Sequence, residues 1–159
     1  MASLIELSTT INAPIEICFN LSRSVKLHTI STSHTNERVV GGRTEGLFEL
    51  NDTVVWRAKH FAIYQQMEMK ITAMDRPHSF EDCMLKGPFK SIRHKHYFRQ
   101  NVDGTTVMQD HFGYEVPYGF AGILFNALVL RKYMTNLLEL RNATIKEFAE
   151  NGQWKDVLK

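Results

Sequence analysis

Residues 105–116, TTVMQDHFGYEV, alternate between apolar and polar side chains, and the next three residues, PYG (117–119), end that alternation. The alternation is typical of a half-buried β-strand. From Phe120 to Asn151 the apolar residues instead recur every three or four positions, which predicts one long helix. The first three turns of this helix are apolar on nearly every side. A twisted sheet that ends in such a helix can grip it and leave a hollow beneath it, so this junction predicts a place to hold an apolar small molecule.

Length and composition restrict the kind of protein. A chain of 159 residues fits a single domain over residues 1–159 that buries roughly 70% of its unfolded surface. A net charge of +2 is too small to indicate nucleic-acid binding, and no apolar run reaches the roughly 18 residues of a transmembrane segment. Cys18 and Cys83 make no disulfide framework, and no signal peptide is recognisable. We therefore expect a cytoplasmic protein with buried thiols.

The rest of the chain is predicted to form mainly strands. Residues 4–11 form the first strand, Asn12 is placed to cap a helix that starts near Pro14, and residues 24–36 hold a second short helix. The further strands are predicted at 38–41, 65–74, 79–85, 89–100 and 105–116, and residues 46–50 and 53–61 form either two short strands or one long, interrupted strand. The predicted fold class is α+β, with a curved antiparallel sheet of about seven strands wrapped around the long C-terminal helix and two short helices after the first strand.

Four stretches of the chain carry a resemblance to a known superfamily. They are Ile11-Asn12-Ala13-Pro14, the run from Asp82 through Gly87-Pro88-Phe89 to Arg93-His94-Lys95-His96, residues 105–110, and residues 114–119. With them the chain resembles the START-like, helix-grip superfamily, also called SRPBCC. It is most similar to small bacterial ligand-binding members related to polyketide cyclase/dehydrase and lipid-transport proteins. The resemblance covers essentially the whole chain and implies the helix-grip fold, but the superfamily holds carriers, sensors and enzymes. A metal-binding oxygenase branch shares this fold, and its His and carboxylate set is not recognisable here.

The alternation of the strands predicts which side chains face the hollow. On the last strand Asp110 shares a face with apolar residues, as His94 and His96 do on the strand before it. Asp103-Gly104 predicts a hairpin between these strands, and a loop over residues 102–104 places His96 opposite Asp110. The residues predicted to line a ligand cavity are Trp56, His60, Met67, Met69, Phe80, Met84, His94, His96, Met108, Asp110, Phe112 and Tyr114.

The group formed by His94, His96 and Asp110 has several possible roles. The three side chains can simply satisfy one another, or they can form the polar end of an apolar pocket that orients one oxygen of a ligand. They are also the catalytic candidates for a cyclisation or dehydration in which Asp110 orients His96 as general base. A metal site would need a third ligand, and His60, the only obvious candidate, is not a convincing one, while Asp110 offers the histidines an ordinary hydrogen-bond partner. We therefore expect no metal and no other cofactor.

Two functions from different classes follow. The first is binding, as a carrier or sensor, of a hydrophobic or amphipathic small molecule between the sheet and the C-terminal helix. The alternative is a cyclase- or dehydratase-type enzyme that uses the His/Asp group in the same cavity. Standard hydrolase and nucleotide chemistry is disfavoured, because the sequence contains no GxSxG elbow and no Gly-rich phosphate loop. The apolar start of the helix, from Phe120 to Leu130, is expected to be buried under residues 27–35, to gate the ligand, or to contact a second copy or a membrane.

Overall fold

The computed structural model describes residues 2–159, and seven strands of this range form one antiparallel sheet. The strands lie in the order β1-β7-β6-β5-β4-β3-β2. They are β1 Ala2–Ile11, β2 Arg38–Gly42, β3 Thr53–His60, β4 Ile63–Asp75, β5 Ser79–Lys86, β6 Ser91–Gln100 and β7 Thr106–Glu115. Strands β2 to β7 form a meander, and β1 closes its far edge beside β7. The predicted antiparallel sheet of about seven strands is confirmed.

The helices stand on one face of this sheet. Two short helices, α1 Ile15–Ser22 and α2 Val25–Ser31, follow β1 as predicted. The chain then ends in α3 Gly119–Phe125, a π-helical segment Asn126–Leu130, α4 Arg131–Glu150 and a final turn, α5 Trp154–Val157. Residues 119–150 are continuous and are called the long helix below; they number 32. Within residues 2–159, no helix has both the length and the apolar character that crossing a membrane requires.

Two local predictions are wrong. Residues 46–50 form a loop with a single bridge, Ser24 to Leu47, because Arg23 uses their backbone groups. The Phe48 N–H donates to the Arg23 carbonyl at 2.9 Å, and the Arg23 guanidinium donates to the Phe48 carbonyl at 2.9 Å. Asn12 does not cap α1, since Pro14 occupies that position without a side-chain hydrogen bond. The backbone N–H of Asn12 donates to the Glu150 carboxylate instead.

The hairpin between β6 and β7 sets the register of the site. Asn101 N–H donates to the Thr105 carbonyl at 2.8 Å, and Gly104 takes a φ of 89°, which favours glycine. As a result His96 lies opposite Asp110, as the sequence predicts.

The hydrophobic core lies between the sheet, α1, α2 and the second part of the long helix. Phe19 of α1 packs edge-to-face against Phe80 and Phe98, with ring centroids 5.7 and 5.4 Å apart. From the long helix, Leu138 and Ile145 are buried in this cluster. The sheet and α4 therefore pack against each other, and the C-terminal part of the long helix is anchored in the core.

Most of the first part of the long helix, residues 119–130, does not join this core, although Leu130 at its end does. Ile123, Leu124 and Leu128 have the spacing of a core face, yet 38%, 48% and 72% of their surfaces are exposed. Of the alternatives for this segment, burial under residues 27–35 is wrong, because α2 packs against α4 and most side chains of residues 119–130 are exposed.

Candidate functional site

A cavity of about 570 Å³ lies between the inner face of the sheet and the long helix. Its wall is mainly apolar and takes side chains from β3 to β7, α2 and residues 117–141. Eight of the residues predicted to line a cavity do line it: Trp56, His60, Met67, Met69, Phe80, His94, His96 and Phe112.

The other four predicted residues, Met84, Met108, Asp110 and Tyr114, are not part of the wall. Met108 is covered by α1, where the Ser22 hydroxyl lies 3.4 Å from its sulphur. Tyr114 is held under the π-helical segment, because its hydroxyl donates to Asn126 Oδ1 at 2.6 Å. Met84 packs against the turn that follows β5. Strand alternation gave the correct face for these side chains, but it does not show what covers them.

Five polar side chains meet at one end of the cavity, and we call them the sheet cluster. They are Asp82 of β5, His94 and His96 of β6, Asp110 of β7 and Arg141 of α4. All of them except Asp110 line the cavity, while Asp110 lies directly behind the two histidines with no exposed surface.

The two histidines bond to different carboxylates, in diagonal pairs across the sheet. His94 Nε2 lies 2.8 Å from Asp110 Oδ1, and His96 Nε2 lies 2.9 Å from Asp82 Oδ1. His96 Nδ1 is 3.2 Å from Asp110 Oδ1 but has no hydrogen-bond partner. Asp110 therefore orients His94 rather than His96, which corrects the pairing expected from the register. Two members of the cluster, Asp82 and Arg141, are absent from the predicted site.

Residues of the long helix hold Asp110 from the other side. The Asn142 amide donates to Asp110 Oδ2 at 2.7 Å, and Arg141 Nη1 lies 3.5 Å from Asp110 Oδ1. Burial on its own would raise the pKa of Asp110. The hydrogen bond from His94, together with the neighbouring His96 and the Arg141 charge, outweighs burial and lowers this pKa well below its usual value. Asp110 is thus a buried carboxylate anion that is fully compensated.

The environment of His94 keeps its imidazole neutral. Burial, and then the nearby His96, lower the pKa of His94 to about 4. A carboxylate only accepts hydrogen bonds, so Nε2 of His94 carries the proton donated to Asp110 and Nδ1 keeps its lone pair. Burial opposes ionisation of Asp82 as well, but the hydrogen bond and charge of His96 lower the pKa of Asp82.

A second polar group faces the same cavity. Of its members, only His60 was among the residues predicted from the sequence. We call it the mouth cluster; it consists of His28 of α2, Glu37 just before β2, His60 at the end of β3 and Tyr133 of α4. Glu37 Oε1 pairs with His28 Nε2, and His60 Nδ1 lies 2.7 Å from the Tyr133 hydroxyl. His28 also stacks on Trp56, with ring centroids 4.1 Å apart.

Burial affects the pKa values of Glu37, His60 and Tyr133 in the mouth cluster. It would raise the pKa of Glu37, but the charge and hydrogen bond of His28 lower that pKa below its usual value. Burial also lowers the pKa of His60, and together with the Glu37 charge it raises the pKa of Tyr133. The four residues come from separate parts of the chain, and no local spacing could have joined them.

The cavity opens beside the mouth cluster. Four apolar residues of its wall are exposed on the protein surface: Phe61 at 44%, Ile63 at 63%, Tyr118 at 86% and Phe125 at 44%. Phe61 contacts both Phe125 and Tyr133, with ring centroids 5.5 and 4.5 Å apart. The exposed start of the long helix therefore forms one side of an apolar rim around the opening.

The two polar clusters are separated along the sheet. Trp56, which stacks on the mouth cluster, pairs with Met67 of β4, whereas Asp82 of the sheet cluster pairs with Ile71 of the same strand. Four residues of strand correspond to about 13 Å. The cavity is thus an apolar space with a different polar group at each end.

Comparison with known proteins establishes the fold. No protein-family model matches the sequence, and no curated protein matches it. A protein of Thermus thermophilus has a similar structure with a TM-score of 0.74 at 16% identity, covering 91% of this chain and 95% of that chain. A START superfamily protein from Mycobacterium smegmatis superposes with a TM-score of 0.68 at 8% identity, covering 92% and 96%. The major latex-like protein 151 of Panax ginseng gives 0.66 at 16% identity, covering 93% and 97%. At such identities the likeness concerns the fold, and the chain has the START-like helix-grip fold that the sequence predicts.

Proposed function

We propose that this protein is a carrier or sensor that binds a hydrophobic or amphipathic small molecule, with residues 1–159 acting as one START-like ligand-binding domain. The observation that carries the proposal is the cavity of about 570 Å³ with a mainly apolar wall. A volume of this size is within the range of roughly 300–1,000 Å³ that is common for small-molecule sites. We also propose a cytoplasmic location, which is consistent with two free cysteines.

The distribution of polarity in the cavity suggests how such a ligand lies. Its apolar body would contact Trp56, Met67 and Met69, and methionines can adjust their shape to different ligands. Removing apolar surface from water contributes about 25 cal/mol per Å², so the wall supplies most of the affinity. The clusters at the two ends supply hydrogen-bonding groups that fix the orientation of the ligand.

The ligand would enter through the apolar rim formed by Phe61, Ile63, Tyr118 and Phe125. These side chains belong both to the cavity wall and to the exposed surface. Contact of residues 120–130 with a second copy or with a membrane stays a prediction. Light scattering at several protein concentrations tests the homodimer, and sedimentation with lipid vesicles tests the membrane contact.

A cavity-filling substitution tests the proposed function. Ala58 is buried and lines the cavity, whereas Ala143 is exposed on α4. We expect Ala58→Phe to weaken binding of a fluorescent fatty-acid analogue at least about tenfold, because the added ring occupies the ligand volume. Ala143→Phe adds the same group outside the cavity and should bind the probe like the wild type. Circular dichroism checks that both variants are folded, and equal probe affinity in all three proteins would contradict the proposal.

A cyclase- or dehydratase-type enzyme is the second candidate. The observation in its favour is that His94 and His96 both line the cavity and that each is hydrogen-bonded to a carboxylate. The pKa of about 4 for His94 counts against it, because a general base works best with a pKa near the working pH. Incubation with β-hydroxyacyl and poly-β-ketone thioesters, followed by mass spectrometry, tests this function. Turnover that falls roughly 100-fold or more in Asp110→Asn would favour the enzyme over the carrier.

A further inference from the structure

The sheet cluster contains three residues in the arrangement of a metal site. One possible ligand atom from each of Asp82, His94 and His96 lies within 4.8 Å of those of the other two. All three residues line the cavity, and the two histidines are almost fully buried. Two imidazoles and one carboxylate are a donor set that first-row transition metals accept, often with positions left open for a ligand.

The distance between two of these groups suits a common ion. His96 Nε2 and Asp82 Oδ1 are 2.9 Å apart. Two ligands that are each about 2.1 Å from an ion are separated by about 3 Å in octahedral geometry and by about 3.4 Å in tetrahedral geometry. An ion could therefore replace the shared proton of this pair with little movement of either side chain.

The groups behind the histidines also fit a metal site. Histidines that bind a metal usually donate the proton of their other ring nitrogen to a carboxylate, which fixes the tautomer. His94 already donates from Nε2 to Asp110, which leaves Nδ1 for an ion. Asp110 itself is held by Asn142 and Arg141. Asp110 thus positions the imidazole of His94.

The unpaired nitrogen of His96 supports the same arrangement. Within residues 2–159, His96 Nδ1 is the single buried side-chain nitrogen or oxygen without a hydrogen-bond partner, and it lies 3.2 Å from Asp110 Oδ1. If an ion occupies Nε2, the ring proton must be on Nδ1, where Asp110 is the available acceptor. A bound ion therefore accounts for a polar atom that the metal-free network leaves unsatisfied, which is otherwise costly.

Contrary to the expectation from the sequence, which did not consider Asp82 as a ligand, we infer that Asp82, His94 and His96 bind one divalent first-row transition-metal ion of the Zn²⁺ or Fe²⁺ type, whose remaining positions face the cavity. His60, the third ligand considered from the sequence, bonds to Tyr133 in the other cluster. The ion would take an oxygen donor of the bound molecule, such as a carboxylate, enolate or carbonyl group. Binding of the ion does not depend on the proposed carrier function, because the protein provides all three ligands.

Metal titration of the chelator-treated protein tests this site. The protein is purified without a metal-affinity column, and Zn²⁺ binding is measured by calorimetry and Co²⁺ binding by visible absorption. We expect one ion per chain, and we expect Asp82→Asn and His96→Ala each to weaken binding about 100-fold or more. Asp110→Asn removes only the group behind the histidines and should weaken binding about 10- to 100-fold.

A matched control separates this site from surface binding. His111 lies on the outer face of β7, close to Glu6, and His111→Ala should bind the ion as the wild type does. The inference is overturned if folded wild-type protein binds neither Zn²⁺ nor Co²⁺ at micromolar concentration, or if His111→Ala loses as much affinity as His96→Ala. If His96→Ala does not fold, Asp82→Asn decides the question, because Asp82 is only partly buried and the change keeps its shape. Probe binding without metal binding would overturn this inference and leave the carrier function intact.

Discussion

The sheet cluster and the mouth cluster are polar groups in the wall of one cavity, but they are built differently. In the sheet cluster, the ladders of β5, β6 and β7 fix the backbone positions of Asp82, His94, His96 and Asp110. In the mouth cluster, each residue comes from a different part of the chain: α2, the segment before β2, the end of β3 and α4. Asp110 has no exposed surface, whereas the side chain of His28 is 29% exposed.

This difference indicates a division of roles. A network that is fixed by strand register and closed from solvent is rigid, and breaking it leaves buried charges without partners. A network assembled from separate elements beside an opening can rearrange and be rescued by water, so it costs less to break. We therefore expect the sheet cluster to determine stability and the precise chemistry of the site, and the mouth cluster to tune which molecules enter.

The largest expected effect is that of Asp110→Ala. It leaves His94, Arg141 and Asn142 without their shared buried partner, and breaking such a group typically costs about 3–5 kcal/mol. The free energy of unfolding from urea denaturation measures this cost. A loss below about 1 kcal/mol would show that the sheet cluster does not stabilise the fold.

The second largest expected effect is a loss of stability at acidic pH, which we expect to arise in the sheet cluster. The pKa of His94 falls from an ordinary 6.5 to about 4 in the folded protein, so the unfolded chain binds the proton more readily between these values. Stability is therefore expected to decrease as the pH falls from about 6.5 to about 4, by about 3 kcal/mol in total. The groups that face His94 are Asp82, His96, Asp110 and Arg141, and the lowered pKa of Asp110 extends the loss to still lower pH.

Urea denaturation at several pH values, in the presence of a chelator, measures this dependence. His94→Gln removes the titrating group and should flatten the profile between pH 4 and 6.5. An unchanged profile in that variant would assign the acid sensitivity to another group.

The mouth cluster should tolerate a comparable change better. Glu37→Gln keeps the shape of the side chain but removes the charge that pairs with His28. A hydrogen bond to a charged group contributes about 1.5–3 kcal/mol, so the loss should stay below that of Asp110→Ala. The same urea experiment measures it, and a loss equal to or larger than that of Asp110→Ala would contradict the proposed difference between the clusters.

The smallest expected effect is that of Tyr133→Phe. The change removes one hydrogen bond to His60 and should cost about 0.5–1.5 kcal/mol. Tyr97, which is on the exposed face of β6, provides the control, because Tyr97→Phe should leave stability unchanged. If Tyr133→Phe alters the relative affinities of fluorescent fatty-acid and fatty-alcohol probes while Tyr97→Phe does not, the mouth cluster contributes to ligand selection.

The sequence by itself determined the fold and the register of the site. Strand alternation has a period of two and Asp103-Gly104 defines a short hairpin, so residues that are near in sequence were sufficient to place His96 opposite Asp110. The three-and-four spacing from Phe120 onward predicted the long helix for the same reason, since a helical repeat is a local property.

Only the tertiary structure decided how these elements meet. The diagonal pairing of His94 with Asp110 and of His96 with Asp82 depends on side-chain directions across a curved sheet, and the pairing of His28 with Glu37 depends on loop positions. The sequence also left burial undetermined. An apolar helix face is buried only where another element covers it, and α2 packs against α4 while most side chains of residues 119–130 stay exposed. Such contacts join residues that are distant in sequence, and periodicity carries no information about them.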